Sequence, residues 1–178
     1  MLRAWRNQPD VARFMHTEHV IGPEEHARWF VRMLSDPTVR YSVIELDGAP
    51  VGLVCITDID LLNERCSWAF YLAEANVRGR GVGTVVEFST MQYAFEVLGV
   101  QKLCCEVLDF NQPVIDMHRS FGFVEEGRLR RHIRKPDRRC DVVLLSMLRE
   151  EWEANRPRLE ERLRSKGLLP PPPEVRAS

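Results

Sequence analysis

The segment Val77–Thr84 combines three glycines at alternate positions with two arginines, between an apolar run and a helix-like run. Gly79, Gly81 and Gly83 let the backbone approach a ligand closely and adopt positive φ. The first turn of a helix leaves its N–H groups without intrahelical partners, and the helix dipole places positive charge at the same end. Together these features predict a site for a phosphate or pyrophosphate group.

The spacing of the glycines narrows the kind of phosphate ligand. No lysine follows Gly83 as a P-loop requires, and the glycines lack the Gly-x-Gly-x-x-Gly spacing of dinucleotide folds. The pattern Arg78-x-x-Gly81-x-Gly83 instead resembles the pyrophosphate loop of the GNAT superfamily, the acetyl-CoA-dependent N-acetyltransferases. The alternative is a glycine-rich turn with two solvated arginines. The resemblance implies a set of acetyl-CoA-binding residues: Leu72, Arg78, Gly79, Arg80, Gly81, Val82, Gly83, Thr84 and Asn111.

A second segment, residues 111–123, resembles the other signature of this superfamily, an asparagine followed by a short helix and Gly-Phe. It begins 28 residues after Gly83, which leaves room for a helix, a turn and a strand. The resemblance extends from about Leu2 to about Trp152. It implies that Asn111 contacts the pantetheine or the loop behind it, whereas a helix N-cap is the alternative.

Two titratable residues stand where proton transfer is needed. Glu106 interrupts an apolar strand-like run, and a buried carboxylate is costly unless it is paired or used. We therefore interpret Glu106 as the general base, with a structural ion pair to an arginine as the alternative. The resemblance places His118 where the family usually has the tyrosine that protonates the CoA thiolate. An imidazolium can supply that proton, although a merely packed histidine is the other interpretation.

The acceptor side resembles one branch of the superfamily. That branch acetylates a UDP-linked 4-amino-4,6-dideoxy sugar in pseudaminic acid biosynthesis, which supplies flagellin glycosylation. The resemblance rests on Trp5-Arg6-Asn7-x-Pro9, Phe14-Met15-His16 and Glu25-His26-x-x-Trp29-Phe30. It implies that Arg6 meets the UDP diphosphate and that Met15, His16 and Trp68 line the acceptor pocket. Parts of these patterns recur in relatives that acetylate ribosomal protein N-termini or polyamines. A noncatalytic CoA-binding module is the alternative of another class.

Hydrophobic periodicity and turn residues predict the elements that position these groups. Their order is two helical segments, three strands, the helix after the glycine loop, a strand, a short helix, two strands and a last helix. This order is similar to the GNAT fold, an α/β (α+β) protein with a mixed central sheet flanked by helices. The family's first strand is absent, which predicts an uncovered sheet edge. The helix from Pro23 to Leu34 should bury an apolar face of Ala27, Phe30, Val31 and Leu34.

The 178-residue chain predicts an acetyltransferase domain at residues 1–152, a charged, exposed helix at 153–166 and a proline-rich tail at 167–178 that cannot pack. Its formal net charge of −1 gives no case for nucleic acid or an anionic membrane. No apolar run reaches the length of a membrane span, and the start lacks a signal-peptide pattern, so we expect a cytoplasmic protein. A homodimer stays open.

The cysteines give no pattern of a metal site or a disulfide framework. Five cysteines are an odd number, and none has Cys-x-x-Cys spacing. We therefore expect reduced thiols and no metal. Cys104 and Cys105 are adjacent on a predicted strand, so their side chains point to opposite faces, which favours core packing over a nucleophilic role.

Overall fold

The computed structural model describes residues 1–77 and 79–170 of the chain. The order of helices and strands is that predicted from the sequence. The helices are α1 (Leu2–Arg6), α2 (Pro9–Ala12), α3 (Pro23–Ser35), α4 (Val82–Gln92), α5 (Gln112–Phe121) and α6 (Arg149–Ser165). The strands are β1 (Arg40–Leu46), β2 (Ala49–Asp60), β3 (Arg65–Leu72), β4 (Lys102–Leu108), β5 (Val124–Arg134) and β6 (Arg139–Leu148). A 3₁₀ turn at Ala75–Val77 precedes α4, and a π-helical turn at Tyr93–Val97 follows it.

The strands form one mixed sheet in the order β1-β2-β3-β4-β6-β5. Strands β3 and β4 pair in parallel, from Arg65 with Lys102 to Ser67 with Cys104, and the other neighbours are antiparallel. Beyond this short ladder, the later residues of both strands line a common cavity. The mixed sheet flanked by helices confirms the predicted fold class. Strand β1 is one of its edges.

The main core lies between the sheet and helices α4, α5 and α6. Trp152, Leu159 and Leu163 of α6 are at most 1% exposed, and they pack with Phe95 and Phe121. The prediction of an exposed C-terminal helix is therefore wrong. Its three apolar residues share one helical face, which the many charges around them obscured in the sequence.

The chain after α6 also packs, contrary to the prediction for the start of the tail. Gly167 adopts φ +67°, and the Leu168 N–H donates to the Leu163 carbonyl at 2.9 Å, which turns the chain back at the helix end. Leu168 and Leu169 then pack against the main core. Residues 171–178 of the predicted tail lie outside the described part of the chain.

Helix α3 forms where predicted, but its apolar face is not buried. Phe30, Val31 and Leu34 are 39%, 67% and 69% exposed. The nearby Trp29 is half-buried and packs edge-on against Tyr41 of β1, with ring centroids 5.4 Å apart. The periodicity identified the helix because it is a local property. Which face meets the core depends on how α3 is placed against the sheet.

Candidate active site

A cavity of about 1260 Å³ opens where β3 and β4 separate. Its walls are residues 68–72 of β3 and residues 105–108 of β4, together with α5. The glycine loop and the chain around Met15 and His16 also line it. The fold thus joins a loop suited to phosphate with the predicted acceptor segment through one continuous space.

The glycine loop has the backbone shape that its sequence predicts. Gly79 and Gly81 have φ of +78° and +80°, in the left-handed region that favours glycine. Gly81 is the N-cap of α4 and has no side chain to cap it, so the first amides of the helix are not taken by a capping group. A Cβ on Gly79 would meet nothing within 4 Å. This open cradle at a helix N-terminus fits a pyrophosphate.

Gly83 has a different role from the other two glycines. A Cβ there would lie 3.4 Å from Phe70 Cζ and 3.9 Å from Met117 Sδ. These are ordinary contact distances, so Gly83 lies where α4 packs against β3 and α5, and a Cβ would be in contact with both without a clash. Leu72, Val82 and Thr84, also predicted to contact the cofactor, line the cavity.

Of the two arginines in the glycine loop, only Arg80 belongs to the described residues. Arg80 lines the cavity, and its guanidinium lies 3.2 Å from the Asp47 carboxylate in the β1–β2 turn. Both side chains are mostly exposed, so the pair is a weak tether on the loop. Arg78, predicted as a cofactor-binding residue, lies outside the described residues.

The end of α6 contributes to the glycine-loop side of the cavity, which the sequence did not indicate. Lys166 and Leu168 line it, and a Cβ on Gly81 would lie 2.6 Å from Leu168 Cδ2. A side chain at Gly81 would therefore have to displace the end of the Leu168 side chain, in addition to adopting positive φ.

Asn111 occupies the N-cap position of α5 and lines the cavity, but its side chain makes no capping hydrogen bond. Its backbone carbonyl accepts from the N–H groups of Val114 and Ile115 instead. The alternative role of Asn111, an N-cap, is thus fulfilled by its backbone alone. Its side-chain amide makes no capping hydrogen bond.

His118 lines the cavity from α5 and is 3% exposed. Its Nδ1 lies 2.8 Å from Oε1 of Glu87, which is wholly buried on α4. The rings of Trp68 and Phe123 lie against the imidazole, each with its centroid 5.3 Å away. Burial raises the pKa of Glu87, and the His118 contact opposes that shift. Because Glu87 occupies Nδ1, Nε2 is the ring nitrogen that remains for a ligand.

Glu106 lines the cavity, but the expectation that its carboxylate is buried is wrong. Its side chain is 49% exposed, and Oε2 lies 3.7 Å from His16 Nε2. The apolar neighbours of Glu106 on β4 face the core, whereas Glu106 projects to the opposite face, as alternation along a strand requires. The alternative interpretation, an ion pair with an arginine, is not what the structure shows; the contact is with His16, a residue of the predicted acceptor pocket. The fold thus brings together two residues predicted separately.

Only some of the remaining predicted acceptor residues lie in the cavity. Met15 and Trp68 line the cavity. Trp68 is 3% exposed, and the described residues offer no hydrogen-bond partner to its indole N–H. Arg6 is not among the lining residues, because its guanidinium donates to the carbonyl and hydroxyl oxygens of Thr17. Burial lowers the pKa of Arg6, as expected for a guanidinium withdrawn from water. The structure therefore gives Arg6 an anchoring role.

Comparison with known proteins decides the family. The profile described as the acetyltransferase (GNAT) domain matches residues 1–124.

The chain belongs to the GNAT acetyltransferase family.

Relatives within this family have been characterised to different degrees. The SPbeta prophage-derived uncharacterized N-acetyltransferase YokL of Bacillus subtilis is 30% identical over 148 residues, covering 82% of each chain. The acetyltransferase PseH of Campylobacter jejuni is 29% identical over 119 residues, covering 67% of this chain and 72% of PseH. The spermidine N-acetyltransferase of Vibrio cholerae, solved with CoA and spermine, superimposes with a TM-score of 0.79 at 19% identity, over 85% of this chain and 90% of that one. The chain is thus an acetyl-CoA-dependent acyltransferase.

The cysteines of this acetyltransferase are free thiols. Burial raises the pKa of Cys55 to about 11 and that of Cys66 to about 12, and it also raises the pKa of Cys105 well above its ordinary value. These thiols stay protonated and are poor nucleophiles. The described part of the chain contains no cluster of three or more histidine, cysteine or acidic side chains that could hold a metal ion. Within the same residues, no helix has the length and apolar character needed to cross a membrane.

Glu87 is the main functional candidate that the sequence interpretation missed. It is the one charged residue of α4, in an otherwise apolar and small-residue helix. A lone carboxylate in an apolar segment was the signal used for Glu106, and it applies better to Glu87. Tyr71 was also missed as a wall of the cavity, where burial raises its pKa to about 12 and keeps its phenol protonated.

Proposed function

We propose that this acetyltransferase transfers the acetyl group to the 4-amine of a UDP-linked 4-amino-4,6-dideoxy sugar. The main support for the acetyl-transfer chemistry is the contact of Glu106 with His16 in the cavity that the glycine loop also lines. The carboxylate of Glu106 therefore borders the same space as the glycine loop and the predicted acceptor residues Met15 and His16. The similarity to PseH supports the branch whose acceptor is the amino sugar.

The glycine loop and the N-terminus of α4 would hold the pyrophosphate, and residues 68–72 of β3 would lie along the pantetheine. Acetyl-CoA supplies an activated thioester. In direct transfer the amine nitrogen forms a bond to the acetyl carbon, and the bond from that carbon to sulfur breaks. Glu106 accepts the proton that the amine loses, directly or through water. The half-exposed position of Glu106 gives it access to such a water.

His118 is suited to the opposite proton transfer. As an imidazolium it holds one proton on Nδ1 toward Glu87 and a second on Nε2, which can pass to the departing thiolate. The contact of Nδ1 with Oε1 of Glu87 fixes the orientation of the ring. Glu87 is therefore a positioning residue, and His118 is the proposed acid.

A polyamine acceptor is the second candidate, because a specific observation favours it. Asp10, Asp58 and Glu106 all line the cavity, and carboxylates suit a polycation. The structural neighbour bound to spermine has the same fold. The basic residues beside these acids, described below, favour the anionic acceptor.

Steady-state thiol release from acetyl-CoA tests the proposal. The acceptors compared are UDP-4-amino-4,6-dideoxy-N-acetyl-altrosamine, spermidine and an alanine-starting peptide. Turnover with the sugar nucleotide at a kcat/KM at least 100-fold above the other two would support it. Preference for spermidine or the peptide would discard the sugar and keep the acetyl transfer. The cytoplasmic location and the homodimer stay predictions, and sedimentation of the purified chain tests the second.

A further inference from the structure

The β5–β6 hairpin has a local excess of positive charge, although the chain as a whole has a net charge close to zero. Residues 127–141 include six arginines and Lys135 against two aspartates, whereas the whole chain has a formal net charge of −1. Strand β5 is an edge of the sheet and is mostly exposed. The proposed acetyl transfer uses none of these cations. Such a local excess indicates an anionic partner.

The tip of this hairpin is fixed against the acceptor segment. Lys135 is a buried lysine, with 3% of its side chain exposed. Its Nζ lies 3.1 Å from the Glu18 carboxylate and donates to the Met15 carbonyl at 2.6 Å. Because Met15 and His16 are adjacent, the hairpin tip is tied to the residues that approach Glu106. The charge of Lys135 is already satisfied by Glu18.

A second cavity, of about 350 Å³, lies at this junction. Arg13 and Phe14 line both this cavity and the main one, so the two spaces adjoin. Phe14 stacks on Phe110 with ring centroids 5.8 Å apart. Arg13 lies over the Phe14 ring and Arg138 over the Phe110 ring, each with its guanidinium carbon 4.5 Å from the ring centroid.

This arrangement holds two guanidinium groups beside one space. Stacking uses the face of a guanidinium, whereas its N–H donors lie in its plane, so they stay available to oxygen acceptors. Paired guanidinium forks match the oxygens of a diphosphate. Arg13 has one weak competitor at 3.8 Å in Asp10, and Asp137 lies at the cavity rim. A singly charged carboxylate would gain less here than a diphosphate.

We propose that Arg13 and Arg138 form an acceptor subsite that binds the diphosphate of a nucleoside-diphosphate-linked substrate. This inference rests on the proposed function and names the residues that select its acceptor. Arg13 and Arg138 take the role that the sequence predicted for Arg6, whose guanidinium is hydrogen-bonded to Thr17 instead. The Phe14–Phe110 pair holds the two guanidiniums in place, and the tie from Lys135 sets the distance from this subsite to Glu106.

Binding of UDP to the full chain in the presence of saturating CoA tests the subsite apart from turnover. CoA fills the glycine loop, so calorimetry reports UDP at another place. We expect Arg13→Gln and Arg138→Gln each to weaken UDP binding about 10-fold. Arg134→Gln is the matched control, because it removes an exposed arginine of the same hairpin outside the cavity lining. Uridine, which lacks the diphosphate, should bind equally weakly to all four proteins.

The outcomes separate the subsite from the proposed acceptor. UDP binding that depends on Arg138 but not on Arg134 supports the subsite, even if the amino sugar is not acetylated and the proposed function falls. Turnover of the sugar nucleotide with a KM that Arg138→Gln and Arg13→Gln leave unchanged would overturn the subsite and keep the function. Absence of UDP binding, equal loss in the Arg134 control, or preferential binding of a single-stranded RNA decamer would each overturn it.

Discussion

Nδ1 of His118 lies 2.8 Å from Oε1 of Glu87, and the two side chains are 4% and 0% exposed. The second carboxylate oxygen of Glu87 has no hydrogen-bond partner among the described residues. A buried carboxylate with half its acceptors unused is costly to stability. The pairing therefore indicates a role that offsets this cost, namely holding the His118 ring in one orientation.

Glu87 and His118 should act as one unit in turnover. We expect His118→Ala to lower kcat about 100-fold, because it removes the proposed acid. Glu87→Gln should lower kcat only about 10-fold, because it leaves the acid in place and disturbs its alignment. In the His118→Ala background, Glu87→Gln should change kcat by less than twofold. Single-turnover rates with saturating acetyl-CoA give the four corners of this cycle. Additive losses would show that Glu87 acts independently of His118.

The stability of the protein should carry the pH signature of Glu87. Its folded-state pKa is raised by burial above the ordinary 4.5, so the folded state keeps a proton that the unfolded state releases. The contribution of Glu87 to stability is thus greatest below pH 4.5 and is lost as pH rises through the raised value. Glu87→Gln removes this loss, so its Tm relative to wild type should increase with pH above 4.5.

A matched control for this pH dependence is Glu161→Gln, on the exposed side of α6. Its Tm difference from wild type should stay constant over the same pH range. Thermal unfolding of the three proteins between pH 4.5 and 7.5 provides the measurement. A Glu87→Gln difference that stays flat, or shrinks with pH, would contradict the raised pKa.

Glu106 should affect turnover and not cofactor binding. Glu106→Gln removes the proton acceptor from the cavity while keeping its size, so kcat should fall at least about 100-fold. The Kd for CoA should change by less than twofold. Glu45→Gln is a suitable control, because Glu45 is an exposed glutamate on a strand and does not line the cavity. An unchanged kcat in Glu106→Gln would assign the base to another group or to water alone.

The glycine loop and the C-terminal segment should be coupled through Gly81 and Leu168. Gly79→Ala adds only backbone strain, about 1 kcal/mol, because its Cβ meets open space. Gly81→Ala adds a collision with Leu168 and should destabilise more and weaken CoA binding. The double variant Gly81→Ala/Leu168→Ala should be less destabilised than the sum of the two single variants. Denaturant unfolding measures this, and a strictly additive double variant would refute the coupling.

The sequence by itself determined the helix and strand order, the glycine loop and the family, since these depend on local spacing. The helix predicted from Pro23 to Leu34 forms as α3, at Pro23–Ser35. Glycines that need positive φ, and amides left open at a helix start, are properties of a few consecutive residues. Such features require no knowledge of distant contacts.

Only the tertiary structure decided which side chains meet. Glu87 and His118 are 31 residues apart, and Glu106 lies 90 residues after His16. The burial of Leu163, the exposure of Leu34 and the seating of Leu168 on Gly81 likewise depend on how helices are placed against the sheet. Periodicity fixes which residues share a face, but it carries no information on what that face packs against.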